Sequence, residues 1–244
     1  MPMLRRAFAA GLLASLGPLA AAAQGLTEEQ RADVLATLRR ALREDPSILR
    51  EAMAAMEVAE EASRADAQRT AIRQNADALF RDPADPVRGN PQGRVTVVEF
   101  FDARCGYCRT LHPTMEELLR RNREVKLVLK DLPILGPNSV LGSRALLVAQ
   151  RTGKYPALFE GFMRLREELS ETVLRREVER VGLDWPRLRR EMDDGAITRR
   201  IDANVSLARA LDIQGTPALV IGDTIIPGAV ELPQLEAAVA AIPA

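Results

Sequence analysis

Apolar residues recur at helical spacing early in the chain and at strand spacing in its middle, and this change of period divides it. Val34, Leu35, Leu38 and Leu42 repeat every three or four positions, which predicts an amphipathic helix. Asp45-Pro46 then offers a capping residue followed by Pro at a first helical position. Ile48, Leu49, Ala52, Met53 and Met56 continue an apolar stripe on a second helix, which thins to alanines among Glu, Arg and Asp between Glu57 and Arg73. A helix from Pro46 to about Leu79 would be roughly 50 Å long at about 1.5 Å per residue, with too little apolar surface to lie on one core throughout. Leu and Met stripes on an isolated helical pair need burial elsewhere, so residues 24–80 are expected to be an oligomerisation and stalk region. A solvated leader is the plainer alternative.

Asp82-Pro83-Ala84-Asp85-Pro86 through Asn90-Pro91-Gln92-Gly93 is rich in Pro and Gly, so residues 81–93 read as a linker and 94–244 as a second domain. That domain opens with an apolar strand, Val95 to Phe101, a helix from Tyr107 to about Arg121, and an alternating strand from Val125 to Lys130. A helical block follows at about 138–211, with turn signals at Gly153, Ser170, Gly182 to Asp184 and Gly195. Pro217 to Ile221 and Thr224 to Ile226 form two short strands around the hairpin signal Gly222-Asp223, and Glu231 to Ile242 closes as a helix.

The chemistry enters where the first strand of this domain meets its helix. Cys105-Gly106-Tyr107-Cys108 holds both cysteines of the chain, and a strand that delivers Cys-x-x-Cys to a helix N-terminus builds a thioredoxin-type reversible dithiol. The element order then fits an α/β thioredoxin fold with a helical insertion between its halves. Structural zinc normally takes four Cys or His ligands, more than two cysteines and the single His112 supply. Attachment of c-type haem wants His after the second cysteine, where Arg109 stands. A purely structural disulfide would close a very short loop, where the entropic gain is smallest. The pattern calls for no metal and no other cofactor.

Compartment and charge narrow the clients. Arg5 and Arg6, the apolar run Ala7 to Leu19 and the small residues Ala21-Ala22-Ala23 make residues 1–23 an expected signal peptide cleaved near Ala23, placing the mature chain in the periplasm. Arg5-Arg6-Ala7-Phe8 faintly resembles a twin-arginine signal, but general secretion is favoured because a dithiol protein needs no cofactor inserted before export. Acidic and basic residues balance at 34 each, which argues against nucleic acid as a partner. An oxidising space is where a dithiol meets exported proteins with cysteines as clients.

Val98-Glu99-Phe100-Phe101 before Cys105-Gly106-Tyr107-Cys108, with Thr216-Pro217 far downstream, resembles the DsbA-like thiol–disulfide oxidoreductases. Lys130-Asp131-Leu132-Pro133-Ile134-Leu135-Gly136-Pro137 resembles a segment of the ScsC-like group, whose members carry extra N-terminal helices. The resemblance covers about Phe80 to the C-terminus well and the leading helices more loosely, and it favours a homo-oligomer, a trimer. Gly106-Tyr107 and the Thr before Pro217 resemble the oligomeric disulfide isomerase DsbC, whereas DsbA carries Pro-His between its cysteines.

Cys105, at the helix start, is expected to be the attacking thiolate and Cys108, one turn in, the resolving thiol. Arg104 and Arg109 either favour the thiolate or are simply solvated. The resemblance implies a cis Pro217 facing the dithiol, with Thr216 and the Gly106-Tyr107 pair contacting the client; an ordinary trans Pro opening a strand is the alternative. Glu99, inside an apolar strand, is expected to be buried with a raised pKa and to exchange a proton with Cys108, unless it faces solvent. Lys130 could pair with Glu99 or sit exposed at its strand end. Weaker expectations attach to three further features. His112 could hydrogen-bond locally, sit exposed or, least of all, act directly in catalysis. Trp185 is expected to pack rather than bind client, and the apolar segment Leu132-Pro133-Ile134-Leu135 lines either a client groove or the core. The functional expectation is an exported disulfide isomerase or reductase served by a membrane thiol reductase. The rivals are a DsbA-like oxidase with an oxidising partner, and a non-catalytic envelope chaperone or scaffold.

Overall fold

The computed structural model describes residues 26–243, so the signal-peptide segment 1–23 lies outside the described residues. The chain divides into two compact units, one ending at Val58 and the other beginning at Ala59.

The first unit contains helix α1 (Glu28–Glu44) and the start of α2 (Ser47–Gln74). Thr27 caps α1 reciprocally with Gln30: the Gln30 N–H donates to Thr27 Oγ1 at 3.2 Å and the Thr27 N–H to Gln30 Oε1 at 3.0 Å. The cap defines the helix, but among the described residues nothing in this unit covers its apolar stripe. α1 has no buried residue, and Val34, Leu35, Leu38, Ile48, Leu49, Met53 and Met56 are all exposed.

The second unit is built on a five-stranded sheet. Its strands are β1 (Val87–Gly89), β2 (Val95–Phe101), β3 (Val125–Asp131), β4 (Ala218–Ile221) and β5 (Thr224–Pro227), in the order β1-β3-β2-β4-β5. Only β2 and β3 run parallel, joined through α3 (Gly106–Arg121). Five helices lie between β3 and β4: α4 (Pro137–Gln150), α5 (Tyr155–Met163), α6 (Glu171–Arg180), α7 (Trp185–Glu191) and α8 (Gly195–Ala210). The hairpin β4–β5 turns at Gly222, whose φ of 59° suits a residue without a Cβ, and α9 (Leu232–Ala240) follows.

Strand alternation sorts the core into two clusters. Val95, Val97, Phe101, Leu127, Leu129, Leu219 and Ile221 face α3, α9 and the inserted helices α4 to α7. Val98, Phe100, Val128, Ala218 and Val220 face Ile72 at the end of α2, Leu79, and Leu207 and Leu211 at the end of α8. Fully burying one such side chain contributes about 1.5–3 kcal/mol. Phe101 and Phe159 add an edge-to-face contact with centroids 4.9 Å apart.

Two local features differ from the sequence pattern. The helix expected to reach about Leu79 ends at Gln74, where Asn75 Nδ2 donates to the Ala71 carbonyl at 2.8 Å, and a π-helical turn at Asp77–Arg81 follows. Residues 81–93, expected to be linker throughout, supply β1, which pairs antiparallel with β3 from Val87↔Val128 to Gly89↔Lys126. Three residues are too few to show a period, yet they close a sheet edge that β3 would otherwise present unpaired.

Candidate active site

Cys105 is the N-cap of α3, and the N–H of Cys108 donates to its Sγ at 3.4 Å. Its thiol also reaches across to the Thr216 carbonyl at 3.2 Å, next to the cis Thr216–Pro217 bond. A hydrogen bond from the Cys108 thiol lowers the Cys105 pKa from 9.0 to about 6. Burial opposes that shift, while the Thr216 side chain and the Cys108 and Tyr107 N–H groups assist it. At neutral pH Cys105 is therefore mostly thiolate, the form that attacks disulfides. Cys108 is fully buried, and burial pushes its pKa far up, helped by its bond to Cys105 and by the negative charge of Glu99.

Glu99 is buried on the same face of β2 as Val97 and Phe101, the face toward α3. Burial lifts its pKa from 4.5 to about 8, so it holds its proton at neutral pH. Arg88 of β1 is the cation favouring its charged form, and the charges of Cys105 and Glu116 oppose that form. Arg88 is engaged elsewhere: it approaches Glu116 at 2.5 Å, an ion pair outside hydrogen-bond alignment, and Glu160 at 3.6 Å. When Glu99 is ionised, its charge is one of the causes that raise the Cys108 pKa.

Lys130 corrects the sequence expectation. Its register partner in the parallel pair is Phe100, not Glu99, so alternation sends it to the opposite face of the sheet. There it is buried rather than exposed, and Nζ donates to Asp85 Oδ2 at 2.5 Å and to the Ala78 carbonyl at 2.6 Å. Arg200 of α8 pairs with Asp85 and Asp82, completing a structural cluster. The dithiol and Lys130 are not brought together.

The remaining candidates fall around Cys105. Gly106 has open space where a Cβ would stand, and Tyr107 is 72% exposed. Thr216 and Pro217 line a groove of about 360 Å³ with Gln68, Ile213, Ile225 and Pro227. Arg104 and Arg109 are not free surface cations. Arg104 donates to the Leu135 carbonyl and pairs with Glu168 at 3.3 Å, while Arg109 donates to the carbonyls of Ala103 and Leu165, both at 3.3 Å. The Cys105 charge does act on Arg109, partly offsetting a pKa that burial lowers.

His112 is buried, with Nε2 2.9 Å from Glu160 Oε2 and an edge-to-face contact to Phe159; burial lowers its pKa and Glu160 opposes this. His112, Glu116 and Glu160 bring ligand atoms within 4.8 Å of one another, but the Arg88 guanidinium already pairs with both carboxylates. Trp185 packs against the core. Sequence reasoning missed Arg88 and Asp102. Asp102 had a legible signal, since Asp two residues before a turn N–H is an Asx-turn residue, and its Oδ1 accepts from the Arg104 N–H at 2.8 Å.

Comparison with known proteins places this geometry. Residues 96–240 match the family model of the DSBA-like thioredoxin domain. A thioredoxin-like oxidoreductase from Silicibacter pomeroyi is 42% identical, with a TM-score of 0.66 over 67% of this chain and 95% of that one. The catalytic domain of Proteus mirabilis ScsC is 31% identical, with a TM-score of 0.65 over 70% of this chain and 96% of that one. The Na(+)/H(+) antiporter NhaA 3 of Salinispora tropica is 31% identical over 64% of this chain, which spans only 25% of that relative's length.

Proposed function

The chain belongs to the DsbA-like thioredoxin family as a ScsC-like thiol–disulfide oxidoreductase, and from that premise we propose that it is an exported isomerase and reductase of wrongly paired disulfides. The Cys105 thiolate attacks one sulfur of a client disulfide, forming a mixed disulfide and releasing the other client sulfur as a thiolate. In isomerisation a second client thiolate attacks the mixed disulfide, a new client disulfide forms, and Cys105 leaves as it came, with no net electron transfer. In reduction Cys108 gives up its proton and attacks Cys105. The client leaves with both thiols, and the Cys105–Cys108 disulfide holds the oxidation equivalent. A membrane thiol reductase then returns two electrons to the pair.

Glu99 is the group positioned for the Cys108 proton. Thr216 and Pro217 receive the client backbone opposite Cys105, and Gly106 leaves the approach open. The Gly106-Tyr107 pair and Thr216 match the isomerase pattern rather than that of a simple oxidase.

The observation that carries isomerisation is the uncovered apolar stripe of α1 and the start of α2. Its burial against other copies, with a trimer favoured, would set several dithiols around one misfolded client. A stabilised thiolate equally suits an oxidase, if the partner removes electrons instead of supplying them.

Refolding of a scrambled-disulfide client, with the intact chain and with residues 24–58 deleted, tests the reading. The deletion stops at Val58 because Ile72 and Leu79 are buried in the catalytic unit. The intact chain is expected to restore the client, and the shortened one only to reduce simple disulfides. Equal rescue by both removes the role of the helices, and rescue by neither sinks isomerisation. Light scattering on both proteins reads the assembly, and Cys105→Ser separates an enzyme from a scaffold.

A further inference from the structure

Asp102 is wholly buried between β2 and the dithiol turn, and no step above uses it. Its carboxylate accepts three backbone N–H groups. Arg104 donates to Oδ1 at 2.8 Å, and Ile134 and Leu135 donate to Oδ2 at 2.8 and 3.0 Å. The first donor belongs to the turn that carries Cys105, and the other two to the loop after β3. Arg104 adds a parallel tie through its bond to the Leu135 carbonyl. A carboxylate given to backbone donors in this way fixes the relative position of two segments.

The loop so held is apolar and outward-facing. Ile134 and Leu135 are 44% and 45% exposed. Together with Tyr107 they are the exposed large hydrophobic side chains among the described residues from Ala59 onward. Scattered exposed apolar residues need no explanation. These three sit on two segments stapled to each other at the nucleophile, which does.

We propose that Asp102 is a positioning residue: it holds the Ile134–Leu135 rim at a set place beside Cys105, so that apolar side chains flanking a client disulfide are recognised as that disulfide meets the thiolate. The inference rests on the thiol–disulfide reading above. Its occupant is an extended client segment with apolar residues close to its cysteine, the composition that folded proteins bury and misfolded ones expose.

The probe is a pair of short disulfide-bonded peptides, identical except that leucines or serines flank the cysteines. The reduced wild-type chain is expected to show the lower KM for the leucine peptide. Asp102→Asn, which turns an acceptor oxygen into a donor facing N–H groups, should raise that KM about tenfold toward the serine value while kcat changes less than about twofold. Ile134→Ser with Leu135→Ser leaves Asp102 and its three donors intact and should erase the same preference, which covers a failure of Asp102→Asn to fold. An equal rise in KM for both peptides, or a preference that survives the loop variant, overturns the proposal. A wild-type chain with no preference removes this inference alone. A wild-type chain that reacts with neither peptide removes the exchange reading and this inference with it.

Discussion

Glu99 and Lys130 are both buried ionisable groups in neighbouring strands, yet the two faces of the sheet treat them in opposite ways. On the face away from the dithiol, Lys130 meets Asp85 at 2.5 Å and the Ala78 carbonyl at 2.6 Å, and Arg200 braces Asp85. Burial lowers the Lys130 pKa and Asp85 opposes the shift. On the dithiol face, Arg88 is committed to Glu116 and Glu160, and Glu99 meets its burial by holding a proton up to about pH 8. A paired buried charge stabilises one arrangement of the chain. An acid that meets burial by keeping its proton can serve as a proton reservoir, the role proposed above for Glu99 toward Cys108.

Substitutions that cross the sheet break this contrast most sharply. Cys105→Ser should reduce peptide disulfide exchange more than about a thousandfold with little change in melting temperature, measured by single-turnover kinetics and thermal unfolding. Asp85→Ala should do the reverse. Leaving Lys130 buried without its carboxylate should cost about 3–5 kcal/mol in denaturant unfolding, while the Cys105 thiolate titration stays in place.

Glu99→Gln should act on both chemistry and stability. Release of the mixed disulfide by Cys108 should slow about ten- to a hundredfold, seen as accumulation of the trapped intermediate. In the folded chain Glu99 keeps its proton to about pH 8, whereas an unfolded chain releases it near 4.5. The wild type therefore loses stability relative to Glu99→Gln as pH rises from about 4.5 to 8, and the gap is constant above that range. Cys105 has the opposite sign: folded at about 6 and unfolded at 9.0, it stabilises the reduced chain increasingly from pH 6 to 9. The smallest effect expected is that of Tyr155→Phe, which removes the 3.0 Å hydrogen bond to buried Asp131. It should cost about 1–3 kcal/mol in the same unfolding assay without altering exchange.

What was legible in the sequence was local. The strand Val95–Phe101, the dithiol at its end, the helical block and the hairpin at Gly222-Asp223 each show their own period or turn signal within a few residues. The side of the sheet was not legible for Lys130, because it depends on the register Phe100↔Lys130 between strands 30 residues apart. β1 was hidden by its brevity and by flanking prolines. Asp102 could be read as a turn residue, but its donors at Ile134 and Leu135 lie 32 and 33 residues away, where only the folded chain brings them.

The ultraviolet thiolate absorbance of the reduced wild-type chain, followed against pH, tests most directly whether Cys105 is the prepared nucleophile. A single step with a midpoint near 6 is expected, absent in Cys105→Ser and retained in Asp85→Ala. A midpoint near the ordinary 9.0, or a step that survives Cys105→Ser, would contradict it.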